Sequence, residues 1–254
     1  MLVDSHCHLD AIEFDRDRDA VIARARAAGV MRQVIPAVSA ASWPKLREVC
    51  AGTDGLFPAY GLHPMYLQEH RDEHLVELDD WIKREHPCAI GECGLDFFID
   101  GLDPRAQQYF FDGQLELARV HALPLIVHAR RSVDAVIASI KRIGGLRGVV
   151  HSFSGSAEQA RQLAQLGFMI GLGGPVTYER ANRLRKLAAS VPIESLLLET
   201  DSPDQPDAGI RGQRNEPARL ANVLQVVADL RGETPAAIAA ATSANAARLF
   251  RLPA

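Results

Sequence analysis

The chain has 254 residues, 47% hydrophobic and 24% charged, with a net charge of −4. That is ordinary globular composition, and the weak acidic balance excludes a protein that clings to nucleic acid through bulk positive charge. The N-terminus, MLVDSHCHLD, lacks a charged stretch followed by an apolar run, and no segment reaches the roughly 18 apolar residues of a membrane span, so neither secretion nor membrane insertion is expected.

In chain order, short apolar runs alternate with longer amphipathic ones. Leu2-Val3-Asp4 predicts a strand and residues near 15–28 a helix stopped by Gly29. Val30–Pro36 predicts the second strand and Trp43–Cys50 its helix; Leu56–Tyr60 predicts the third strand. The Asp72–Glu85 helix carries Leu75, Leu78 and Ile82 at helical spacing. Cys88–Gly91 is the fourth strand, and Pro104–Ala122 a helix with proline in its first turn. Strands at Pro124–Val127, Gly148–Val150, Phe168–Gly171 and Leu196–Leu198 follow, with helices near 132–143, 157–166, 179–189, 216–231 and 235–250. A strand-then-helix unit repeated eight times predicts an α/β fold, a (β/α)8 TIM barrel with an extra C-terminal helix, as a single domain over 1–254. The longest irregular stretch, Thr200–Glu216, follows the eighth strand on the face where barrel active sites sit, and a loop of that length is usually functional.

The chemistry-bearing residues cluster at strand ends. Side chains alternate along an extended chain, so His6 and His8 in Asp4-Ser5-His6-Cys7-His8 point to one side and can grip one ion. Glu92 follows the fourth strand, His128 ends the fifth, His151 the sixth and Asp201 the eighth. A lone polar residue closing an apolar strand is usually just a loop residue. Six of them, all metal-ligand types at one barrel mouth, predict a metal site. Six ligands exceed the three or so that one open catalytic ion needs, so two divalent ions sharing a bridging carboxylate fit better. The mixed imidazole and carboxylate set suits Zn, Mn, Mg, Ni or Co.

These residues lie in DSHCHLD, YGLHP, AIGECGLDF, LPLIVHAR, VVHSFSGS, LLLETDSP, RNEP and TSANAARLF. In this order, from residue 1 to about 250, they resemble the TatD family of metal-dependent deoxyribonucleases within the amidohydrolase-like barrels. The resemblance implies one ion on His6, His8 and Asp201, a second on His128 and His151, and Glu92 between them. It gives Asp201 the added task of orienting or deprotonating a water, so Asp201 and Glu92 are the catalytic candidates. It also implies hydrolysis of phosphodiester bonds, with single-stranded DNA a candidate substrate. Arg131 stands where the best-known deoxyribonucleases of the family have an acidic residue, and the 201–217 segment resembles a less characterised branch. An amide, lactone or acyl ester is the alternative substrate, since fold alone does not fix function.

His63 is expected to face the mouth and contact substrate, with Arg130, Arg211 and Arg214 as phosphate partners. His70, His74, His86 and His121 read as surface residues. Cys7 and Cys93 read as packing residues pointing away from the ligands, and Glu199 and Asp204 as supports for them. The four cysteines show no disulfide spacing, which points to a reducing, cytoplasmic setting, and no obligate protein partner is expected.

Overall fold

One inward side chain from each strand builds the floor of a barrel. Val3, Val34, Ala59, Ala89, Ile126, Val149, Met169 and Leu197 pack together inside it. They belong to β1 (Leu2–Asp4), β2 (Val30–Pro36), β3 (Leu56–Tyr60), β4 (Ala89–Asp96), β5 (Leu125–Arg130), β6 (Gly148–Val150), β7 (Phe168–Leu172) and β8 (Leu196–Leu198). All neighbours pair in parallel, in the order β1 to β8. The seam between β8 and β1 is drawn together by Ser5 N–H on Leu198 O (3.0 Å) and Asp201 N–H on His6 O (2.9 Å). The structure is a computed structural model, and it describes residues 1–253.

The helices α1 (Arg18–Ala27), α2 (Trp43–Ala51), α3 (Glu73–Glu85), α4 (Pro104–His121), α5 (Val133–Ile143), α6 (Ala157–Gln165), α7 (Asn182–Ser190) and α8 (Leu220–Arg231) each follow one strand. Their buried stripes form the outer core with the outward strand residues, as His74, Leu78 and Ile82 of α3 illustrate. The extra helix α9 (Pro235–Phe250) closes the barrel floor with Ala246, Leu249 and Phe250. Its Asn245 amide donates to Ile193 O (2.7 Å) and Leu196 O (3.0 Å), tying the late TSANAARLF segment to the start of β8. No helix among the described residues is long and apolar enough to cross a membrane.

The main departure from the expected boundaries is β4, which runs to Asp96 rather than stopping at Gly91. Its register against β5 shifts between Ile90 and Cys93, the mark of a bulge. Two residues, Gly91 and Glu92, therefore stand where alternation allots one. Helix α1 begins at Arg18 rather than near 15, because Ile12–Phe14 forms a separate 3-10 turn. Helices α7 and α8 begin at Asn182 and Leu220, each a few residues later than expected, and Pro217–Arg219 makes its own 3-10 turn.

The seam depends on one buried carboxylate. Asp4 Oδ1 accepts from His6 N–H (3.2 Å) and Thr200 N–H (3.0 Å), and Oδ2 accepts from the Thr200 hydroxyl (2.6 Å), all shielded from solvent. Asp4→Ala strands the His6 and Thr200 N–H groups in the interior, while the Thr200 hydroxyl keeps Ser202 Oγ (3.1 Å), and each unmade buried bond costs about 1–3 kcal/mol. We expect thermal denaturation to show a stability loss of about 3 kcal/mol or more; an unchanged melting temperature would mean the seam is held elsewhere.

Candidate metal centre

Two residues above the floor, the inward positions change from apolar to functional. Ile126 is followed by His128, Val149 by His151, and Leu197 by Glu199, as strand alternation requires. The bulge in β4 lets Glu92 join them while Cys93 turns into the outer core. Past β1 the chain carries His6 and His8 over the mouth. Asp201 sits in the left-handed region (φ +57°) at the start of the loop after β8, and its N–H on His6 O sets it beside the same histidines.

His6, His8 and Asp201 on one side, and His128 and His151 on the other, converge on the two oxygens of Glu92. On one side, Glu92 Oε2 lies 3.2 Å from His6 Nε2 and 3.5 Å from His8 Nε2. Asp201 Oδ1 lies 3.3 and 3.5 Å from the same two atoms, which are 3.2 Å apart. On the other side, Glu92 Oε1 lies 3.2 Å from His128 Nδ1 and 2.8 Å from His151 Nε2, themselves 3.4 Å apart. Ligand atoms about 2.1 Å from a tetrahedral ion stand about 3.4 Å from one another. The first group matches that spacing on every measured edge; in the second the 3.2 and 3.4 Å edges match, while the 2.8 Å edge from His151 to Glu92 is that of a direct hydrogen bond. The donors thus fit a divalent ion, with His6, His8 and Glu92 as one group able to hold it and His63, Glu92 and His128 as another.

The hydrogen bonds behind the ligands fix which nitrogen faces Glu92. Pro36 O can only accept, so His8 Nδ1 donates to it (3.1 Å) and Nε2 is the nitrogen turned toward Glu92 and Asp201. Likewise His128 Nε2 donates to Asp96 Oδ2 (3.0 Å), and Nδ1 is the nitrogen turned toward Glu92 (3.2 Å). His6 Nδ1, His151 Nδ1 and Glu199 Oε2 are all buried without partners and lie together beneath the ligands. Glu199 fits there only because residue 171 is glycine: a Cβ would collide with its carboxylate. Ser152 Oγ donates to Gln205 Oε1 (2.8 Å), and Gln205 Nε2 donates to Asp201 Oδ2, the oxygen turned away from the histidines.

Burial raises the carboxyls of Glu92 and Asp201, but the imidazoles around them win. His63, His151 and His6 hold Glu92 well below the usual range, and the bond to His8 with the charges of His151 and His6 holds Asp201 at about 2. Both are anionic, as ligands must be. His63 is different. Its Nδ1 accepts from Met65 N–H (3.1 Å), so Nε2 carries the proton and donates to Glu92 Oε1 (2.8 Å). Burial holds His63 down to about 4, so it stays neutral. It lines the cavity, but its polar reach goes to Glu92.

The cavity above the centre has a volume of about 900 Å³, within the range of small-molecule and cofactor sites. Arg130 lines it. Arg214, expected among the phosphate partners, is instead turned to the outside. Its guanidinium forms a paired bond with Asp17 (2.8 and 2.7 Å) and a bond to Glu13 O (2.6 Å), and lies over Phe14. Arg211 is exposed and outside the cavity lining. His74, read as a surface residue, is buried, and its Nδ1 accepts from Arg71 N–H (3.3 Å). His70 is half-buried and donates to His63 O (2.9 Å). His121 is also half-buried and pairs with Asp79 (2.6 Å), while His86 is exposed. Cys7 and Cys93 are buried in the core. Sequence reasoning missed Asp96, Asp4, Gln205 and Asn215. The Asn215 amide donates to Thr200 O (2.9 Å) and Asp204 O (2.8 Å), folding the 201–216 loop back on itself.

Comparison with known proteins agrees with this architecture. The family model described as "TatD related DNase" matches residues 3–251. The chain is 41% identical to the uncharacterized metal-dependent hydrolase YjjV of Escherichia coli K12, covering 99% of this chain and 98% of that one. It is 36% identical, over the whole of both chains, to a protein of Erwinia billingiae named 3'-5' ssDNA/RNA exonuclease TatD. The crystal structure of the E. coli K12 TatD homolog YjjV superposes with a TM-score of 0.94 at 40% identity, covering 99% and 98% of the two chains. A family match over nearly the full length, on a barrel whose mouth gathers this donor set, means that the chain belongs to the TatD-related DNase family and is a metal-dependent hydrolase.

Proposed function

We propose that the chain is a phosphodiesterase with two divalent ions bridged by Glu92, acting on single-stranded DNA or a short nucleotide diester. The observation that carries this reading is that the two oxygens of Glu92 face two different donor groups, His6, His8 and Asp201 on one side and His128 and His151 on the other. Bound there, a pair of divalent cations would supply Lewis acidity and a nucleophilic water at neutral pH. The chain's own residues do the rest. Asp201 takes the water's proton on Oδ2, the oxygen steadied by Gln205. Neutral His63 keeps Glu92 Oε1 aligned by donating from Nε2. Arg130, exposed at the rim, neutralises the phosphate of an entering strand.

The recessed mouth favours single strands over intact duplex, and the net charge of −4 adds little long-range pull on a stiff polyanion. The Erwinia relative's name points the same way. Four free thiols suit a reducing compartment, and we place the protein in the cytoplasm.

The test is a panel: single-stranded DNA, blunt duplex, RNA, bis-(p-nitrophenyl) phosphate, a lactone and an acyl ester, each before and after chelation. We expect hydrolysis of the small diester and of single strands, abolished by chelation and restored by Mn, Mg, Zn, Ni or Co. Full activity after exhaustive metal removal, or turnover confined to the lactone or acyl ester, overturns the reading.

A further inference from the structure

The large aromatic side chains exposed among the described residues are Tyr66, Phe97, Phe98 and Tyr109, at 39, 41, 43 and 50%. All follow β3 or β4, and none is elsewhere on the barrel. Single exposed apolar residues are common and carry no message. Phe98 differs because it is tied to the metal centre. Asp96 Oδ1 accepts from Phe98 N–H (2.8 Å) and Ile99 N–H (3.2 Å), while Asp96 Oδ2 accepts from His128 Nε2 (3.0 Å). Phe97 N–H is held on Arg130 O (2.9 Å). One buried carboxylate thus sets both the ring's backbone and a candidate metal ligand.

Two guanidiniums gather on the same ring. The Cζ atoms of Arg130 and Arg131 lie 3.6 and 4.6 Å from its centroid. Both side chains are exposed, and neither forms a salt bridge among the described residues. Two unpaired cations held together on one aromatic ring repel each other, so the arrangement is suited to an anion. Arg130 also lines the cavity, so one guanidinium touches both the cavity and the Phe98 ring.

We propose that Phe98 is a stacking platform for a nucleobase of a single-stranded nucleic acid, the base taking the place over the ring of one of the guanidiniums of Arg130 and Arg131 as that cation turns to a phosphate, with the neighbouring phosphate at the Glu92 centre. The proposal rests on the phosphodiesterase reading above. Aromatic faces with adjacent cations are how sequence-tolerant single-strand sites are built, because every base has a π-face and every linkage a charge. A protein partner would need an apolar surface without demanding an aromatic one.

The experiment measures binding rather than turnover. Fluorescein-labelled oligothymidylates of two, four and eight residues, joined by hydrolysis-resistant phosphorothioate linkages, are titrated with the metal-loaded protein and followed by anisotropy. Wild type should bind more tightly as length grows. Phe98→Ala should weaken binding of the eight-residue strand about 5- to 100-fold and flatten the length dependence. Phe98→Trp should retain it, Phe98→Leu should fail as alanine does, and Val120→Ser, on the exposed face of α4, should match wild type. Equal affinity of Phe98→Ala and wild type, full affinity of Phe98→Leu, or no binding by wild type overturns the platform. Phe98-dependent binding with no diester hydrolysis by wild type would sustain the platform and sink the phosphodiesterase reading. Hydrolysis with Phe98-independent binding would do the reverse.

Discussion

Glu92→Ala is expected to hold the least metal of the site variants and to lower kcat by about 1,000-fold or more. Glu92 is the one side chain that faces both donor groups, with Oε2 toward His6 and His8 and Oε1 toward His128 and His151. Its loss removes a ligand from each ion. It also removes the anion between two dications, whose repulsion at about 4 Å is on the order of 10 kcal/mol at an effective dielectric of about 20. His151→Ala is the comparison. It removes one neutral donor from one ion, and the other keeps His6, His8, Glu92 and Asp201, enough for a catalytic site. Metal-to-protein ratios should therefore read lowest for Glu92→Ala and near one for His151→Ala. If Glu92→Ala held two ions as wild type does, the bridge would be wrong and Glu92 would act only through His63 and the histidines around it.

The barrel, and the side chains gathered at its mouth, were readable in the sequence for one reason. Where a parallel strand ends, alternation continues for one more inward step, and polar residues at that step have nowhere to go but the mouth. His128 and His151 are legible from Ile126 and Val149 alone. Glu92 sits one residue past the expected end of its strand, which hid the bulge that turns it inward. Asp96 was lost for the same reason: with the strand ended at Gly91, the acid read as a loop residue rather than the partner of His128. Arg214 is a different case: it pairs with Asp17 and does not line the cavity. Its loop flanks the active face, but its partner Asp17 lies 197 residues away in sequence, and no local pattern forecasts a contact of that range. Gln205 was invisible because its role is directional: only coordinates show that its amide spans from Ser152 to Asp201. His74 was misread because a histidine on an amphipathic helix was assigned to the polar face, whereas here it begins the buried stripe continued by Leu78 and Ile82.

Asp201→Asn separates metal binding from proton transfer, and we expect it to retain both ions while turnover falls about 100- to 10,000-fold. The side chain keeps its shape and one oxygen, so the oxygen now facing His6 and His8 at 3.3 and 3.5 Å can remain an ion ligand. The new amide nitrogen then meets Gln205 Nε2, a donor facing a donor. Gln205 can relieve this by turning its amide over. Its Oε1 would then accept from Asn, and its Nε2 would donate to Ser152, whose hydroxyl accepts as readily as it donates. The chain of hydrogen bonds survives with its direction reversed, so the carboxamide stays in place without an unpaired donor. What cannot survive is the negative charge and the free lone pair that receives the water's proton. Metal analysis should give wild-type occupancy, or a modest loss from the missing charge, beside a collapsed kcat and a KM close to that of wild type. Wild-type occupancy with wild-type turnover would show that Asp201 is a ligand alone and that the proton leaves by another route.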